Sequence, residues 1–177
     1  AEAESLGIDL VRVKPLVREM SPLKDWAALG SLRAIIHAHR PDVVHCHTSK
    51  AGLLGCLAAR KERVRAVVFA PHGHPFGTGA AIPGVPQGGL RRRMIEYGYR
   101  KAGRCADAVI SPNHQEQDEA LALGLWSAEK AVVVPNGIDT DKFVPADKEQ
   151  ARRRHGLDSS GVLIGVVARL TREKGVD

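Results

Sequence analysis

Short apolar runs alternate with longer segments of helical spacing along this chain. Gly7–Val13 (GIDLVRV) alternates apolar and polar residues, which predicts a strand. Pro15 and Pro22 mark a loop. Over Leu23–His39 the apolar residues fall at 26, 29, 32, 35 and 36, the spacing of one helix face, and Pro41 closes that helix. Asp42–Cys46 (DVVHC) predicts a short strand, Lys50–Arg60 an Ala/Leu-rich helix with small residues at Gly52 and Gly55, and Arg65–Ala70 (RAVVFA) another strand. A long loop, 71–89, holds six glycines and four prolines. A helix over Leu90–Arg104 and a strand over Asp107–Ser111 follow. Asn113 can cap the next helix, with Glu116 completing a capping box and Gly124 at its end. Ala131–Val134 predicts a strand, and Asn136–Gly137 a turn that accepts positive φ. Lys148–His155 is helical in pattern with Gly156 as its stop, and Gly161–Ala168 predicts a last strand.

Strands that alternate with helices imply parallel β-α-β units. The strands are short and almost purely apolar, as expected when both faces of a sheet are covered. The predicted class is therefore α/β, a Rossmann-like parallel sheet with helices on both faces. Ligands of such sheets bind at the carboxyl ends of the strands. The segments to watch are His45–Lys50, Pro71–Phe76, Ser111–His114, Asn136–Asp139 and Arg169–Gly175.

Composition narrows the classes. The 177 residues are 44% hydrophobic and 26% charged, which excludes disorder and collagen-like repeats. The longest apolar stretches, near Ala51–Ala59 and Val162–Ala168, fall short of the ~20 residues a bilayer requires. Ala1–Leu6 is acidic, unlike a signal peptide. Cys46, Cys56 and Cys105 show no C-x-x-C spacing, which disfavours a disulfide scaffold or structural zinc and fits a reducing cytoplasm. The absence of an initial Met, with a start in mid-pattern, predicts a piece of a longer protein. The formal charge is +6, and it is concentrated: Arg91, Arg92, Arg93, Arg100, Lys101 and Arg104 share one helix with only Glu96 opposing them. With Leu90, Met94 and Tyr97 beside Arg93, Arg100 and Arg104, that helix suits an anionic lipid surface at the inner face of the membrane. Few aromatics and no nucleic-acid motif argue against a nucleic-acid partner.

Two H-x-H pairs, His45/His47 and His72/His74, stand at strand ends. Residues two apart on a strand share a face, so the pairs raise the alternative of a metal-dependent hydrolase. Against it, no further Asp or His cluster follows at a later strand end. A non-catalytic anion- or membrane-binding module is a second alternative. Ser49, Lys50 and Gly52 open a helix whose N–H groups can receive an anion or hydroxyl. No G-x-G-x-x-G occurs, so there is no dinucleotide fingerprint.

Five pieces occur in order: DVVHCHTSKAGLLG at 42–55, APHGHPF at 70–76, ADAVISPN at 106–113, VVVPNGID at 132–139 and ARLTREKGVD at 168–177. Together they resemble family 4 glycosyltransferases of the GT-B fold, from about Leu6 to the last residue. The resemblance implies a retaining enzyme that moves a sugar from a UDP- or GDP-linked donor to a glycan or lipid-linked acceptor, with no metal and no other cofactor. It implies a division into an acceptor-side Rossmann-like domain at 1–145, a linker and helix at 146–160, and the start of the nucleotide-sugar domain at 161–177. The family's first strand and its E-x7-E donor motif are absent from this sequence, so these 177 residues alone are expected to be inactive. Strands Asp42–Cys46 and Asp107–Ser111 are expected to leave a gap or to pair directly. His72 matches the catalytic histidine that contacts the transferred sugar. The resemblance and the strand-end positions make His74, His47, Ser49, Lys50, Ser111 and Asn136 candidates for acceptor binding. Arg169, Lys174 and Gly175 match the R-L-x-x-x-K-G element that binds the donor diphosphate, where two cations offset phosphate charge and the glycine admits the backbone.

Overall fold

The computed structural model describes residues 5–17, 19–76, 88–158 and 160–170. Its elements run α1 (Pro22–His39), β1 (Val43–His47), α2 (Ser49–Lys61), β2 (Ala66–Ala70), α3 (Gly89–Cys105), β3 (Ala108–Ser111), α4 (His114–Ala122), a 3-10 turn (Ala128–Lys130), β4 (Ala131–Val133) and α5 (Lys148–Arg154). The strands form one parallel sheet in the order β1-β2-β3-β4. Flanked by α-helices, it is the expected Rossmann-like architecture. The chain divides into two compact units, 1–135 and 136–177.

Local chemistry sets the element ends. Pro22 sits in the first turn of α1, where its missing N–H costs nothing, and Arg40 ends the helix in a left-handed conformation, donating its N–H to Ile36 O at 2.8 Å. Asn113 Oδ1 accepts the Glu116 N–H at 2.8 Å, capping α4 as its sequence predicts, and Gly124 follows with φ +62°. Lys130 places its ammonium on the carbonyls of Arg104 (3.2 Å) and Ala106 (2.8 Å), a cation at the negative end of α3.

The core of the first unit lies where Cys46, Val67, Phe69 and Val109 of the sheet meet Cys56, Ala58 and Ala59 of α2, Tyr99 and Ala102 of α3, Ala120 of α4, and Leu125 and Trp126. Phe69 is fully buried and meets Trp126 edge to face at 6.4 Å. Burial of such a side chain contributes roughly 1.5–3 kcal/mol. Helix α2 approaches the sheet closely through its glycines. A Cβ at Gly52 would lie 2.3 Å from a Phe69 ring carbon, and one at Gly55 2.8 Å from Cys46 Sγ.

Several expectations are corrected. Residues 7–13 form no strand, and Ile8, Leu10 and Val11 are exposed. Residues 161–168 form none either. Alternation or apolarity lets a segment extend, but a strand exists only when a neighbour takes up its amides and carbonyls. No gap separates β1 from β3: β2 pairs with both, His47 opposite Ala70 and Phe69 opposite Val109. Neither Asn136 nor Gly137 adopts positive φ, and residues 134–139 form no turn. Trp26, counted on the apolar face of α1, is exposed, because α1 packs through Ala28, Leu29, Leu32 and Ile36 instead.

Candidate active site at the strand ends

Parallel register brings the carboxyl ends of β1 and β2 to one edge. His47 is the last residue of β1, and Thr48 N–H donates to Ala70 O at 3.1 Å, holding the start of α2 beside the end of β2. Thr48 takes φ +64° and ψ 176°, a region almost reserved for glycine. Two residues past β2, His72 takes φ +56°, followed by Gly73 at φ +97°. Both chain reversals therefore lie at this edge, and both use non-glycine residues in positive φ.

These reversals bring two imidazoles together. His47 Nδ1 lies 2.7 Å from His72 Nε2, with the ring centroids 5.0 Å apart and the ring planes 13° from parallel. His45 shares the exposed side of β1, its ring 4.1 Å from that of His47. All three imidazoles are exposed to solvent. The His47 pKa is held below its ordinary value, by partial desolvation first and then by the neighbouring His45 and His72.

The other expected residues divide. Ser49 opens α2 on the same edge, and its Oγ accepts from the Tyr99 hydroxyl at 2.9 Å. Burial pushes the Tyr99 pKa up, so the phenol stays a donor. Ser111 ends β3, buried, and its carbonyl accepts from Val134 N–H at 2.9 Å. Lys50 turns back from the edge, with its ammonium on Val17 O at 2.9 Å and on Glu19 O and the Asp25 carboxylate. His74 is buried away from the other three histidines. Its Nε2 lies 3.2 Å from Glu116 O, its ring stacks on Phe76 at 6.1 Å, and Nδ1 has no hydrogen-bond partner among the described residues. Asn136 and Arg169 lie in the second unit, both exposed. Lys174 and Gly175 lie outside the described residues.

The geometry weighs on the metal alternative. Among the described residues, no group of three or more His, Cys, Asp or Glu side chains is placed to hold a metal ion. His47 and His72 direct nitrogens at each other, and His74 is withdrawn into the core. Sequence reasoning placed His45 on one face with His47 through their i, i+2 spacing, and it did not single out Thr48 or Tyr99, which support this edge.

Residues 1–137 match the glycosyl transferase 4-like domain family. The chain belongs to that family. It is 29% identical over 168 residues to the UDP-Gal:alpha-D-GlcNAc-diphosphoundecaprenol alpha-1,3-galactosyltransferase of Escherichia coli, covering 92% of this chain and 41% of the relative. It is 32% identical over 136 residues to the D-inositol 3-phosphate glycosyltransferase 1 of Catenulispora acidiphila, covering 77% of this chain and 32% of that enzyme. The chain thus spans well under half the length of these relatives. A solved Anabaena protein, Alr3699/HepE, crystallised with UDP and glucose, matches with a TM-score of 0.51 at 20% identity, covering 73% of this chain and 32% of that one. That likeness is one of fold.

Proposed function

We propose that this chain is the acceptor-side part of a retaining glycosyltransferase, which moves a sugar from a UDP- or GDP-linked donor to a glycan or lipid-linked acceptor without a metal. The observation that carries this reading is the convergence of His47 and His72 at the carboxyl edge of the sheet, in a chain of this family. His72 hydrogen-bonds the transferred sugar and helps to orient it. Ser49 and Ser111 form the acceptor rim, Lys50 and His74 brace it from beneath, and Asn136 is a further acceptor contact. Arg169, Lys174 and Gly175 take the donor diphosphate, where positive charge stabilises the leaving group as the glycosidic bond breaks. Residues 1–145 are the acceptor-side domain, 146–160 the linker and 161–177 the start of the donor domain.

The reading also places the protein in the cytoplasm, against an anionic membrane. Leu90, Met94 and Tyr97 are exposed along α3, as are Arg91, Arg93 and Arg104. Arg100 has a competing role, with its guanidinium on Leu123 O at 3.0 Å and 3.6 Å from Glu96. Among the described residues no helix is long and apolar enough to cross a membrane. Each basic residue near such a surface contributes about 1 kcal/mol. Co-sedimentation with vesicles containing phosphatidylglycerol should fall as salt rises. Binding indifferent to lipid charge and salt would remove this part of the proposal.

The transfer reading is tested with the whole protein that carries this chain. A radiolabelled UDP- or GDP-sugar should give a product with the donor's anomeric configuration in the presence of a chelator. The 177 residues alone should show no turnover. An inverted product, a requirement for added metal, or turnover by the 177 residues would each contradict it.

A further inference from the structure

We propose that His47 is a positioning residue for His72, fixing its ring orientation and its tautomer, and that it acts on the acceptor only through that imidazole. The inference rests on the reading that His72 meets the sugar, and deepens it.

The argument begins with proton counting. At 2.7 Å, His47 Nδ1 and His72 Nε2 cannot both carry protons, because two donors would face each other. Nor can both be bare, because two lone pairs would then repel. One nitrogen donates and the other accepts, so the tautomer of one ring dictates that of the other. His72 Nδ1 is then the ring nitrogen left to meet a hydroxyl, as donor or acceptor according to the state of His47. The surroundings limit rearrangement. His47 is held by the β1–β2 ladder, and the two ring planes lie within 13° of parallel, as a nitrogen-to-nitrogen hydrogen bond between them requires.

Charge reinforces this. A proton on any of His45, His47 or His72 opposes a proton on the other two, and partial desolvation already disfavours charge on His47. The charged groups that other elements bring near are few. The Glu116 carboxylate of α4 lies beside Gly73, 3.3 Å from where a Cβ would stand. The Lys50 ammonium of α2 is spent on Asp25 and two carbonyls. His47 therefore resists taking up a proton.

The test uses ring-nitrogen NMR on the purified chain, comparing wild type, His47→Ala and His47→Asn. Asparagine offers an amide that can donate or accept near the Nδ1 position. Wild-type His72 should show one dominant tautomer. His47→Ala should give His72 the mixed tautomers of a free imidazole. His47→Asn should restore one dominant tautomer. An unchanged His72 tautomer in a folded His47→Ala chain would overturn the proposal. In the whole protein, His47→Ala should lower kcat by about 10- to 100-fold and alter its pH profile, with donor KM nearly unchanged and kcat partly recovered in His47→Asn. If the NMR coupling is present but kcat does not change, the pairing stands and the assignment of His72 to the sugar fails.

Discussion

At the scale of single residues, the site edge is built from conformations that side chains normally avoid. Thr48, at φ +64° and ψ 176°, occupies backbone space that costs a non-glycine residue about 1–3 kcal/mol. Its hydroxyl makes no capping bond to α2, so the side chain does not offset that cost locally. What the conformation achieves is placement: it ends β1 at His47 and starts α2 at Ser49 within a single residue. Thr48→Gly should therefore raise the stability of the chain by about 1 kcal/mol, after the entropy that glycine loses on folding. Equilibrium urea unfolding checks this, and a lower midpoint would mean that the threonine is not strained. Residue types in the H-x-H pairs were visible in the sequence, and the strand period correctly put His45 and His47 on one face. Their partners were not visible. Burial of His74 against α4, the bond between His47 and His72, and the grip of Asp25 on Lys50 each join residues 25 to 42 positions apart, which no local pattern encodes.

At the scale of elements, α2 lies close against β1 and β2. Gly52 and Gly55 let that helix lie where a methyl group would overlap Phe69 and Cys46. Gly52→Ala gains helix propensity but must displace the Phe69 ring or the helix backbone, and overpacking of this kind costs about 1–3 kcal/mol. A drop in that range in thermal or urea unfolding is expected, with Gly52→Ala/Phe69→Leu recovering part of it. A neutral Gly52→Ala would show that the joint is loose. The helices and the four strands of the sheet were legible to within a few residues, because each carries its own period, and three of the helices end at a breaker, Pro41, Gly124 or Gly156. The two segments misread as strands, 7–13 and 161–168, had the pattern without a partner. Periodicity reports a capacity to extend, and the ladder is a property of two segments together.

At the scale of the whole molecule, parallel order does what no single motif does. Because β1 to β4 run in sequence order and in one direction, the segments that follow β1, β2 and β3 reach the same edge of the sheet. That is why residues 47, 49, 72 and 111 all lie at that edge although they come from three separate stretches of chain. The chain belongs to the glycosyl transferase 4-like domain family and spans well under half the length of the curated relatives it matches. The central claim is that the His72 imidazole touches the sugar as it is transferred. The most direct measurement is single-turnover transfer by the whole protein with His72→Ala, at saturating donor. The account predicts a rate about 100-fold or more below wild type, with donor affinity nearly unchanged and the fold intact by circular dichroism. A His72→Ala protein that transfers sugar at the wild-type rate would contradict it.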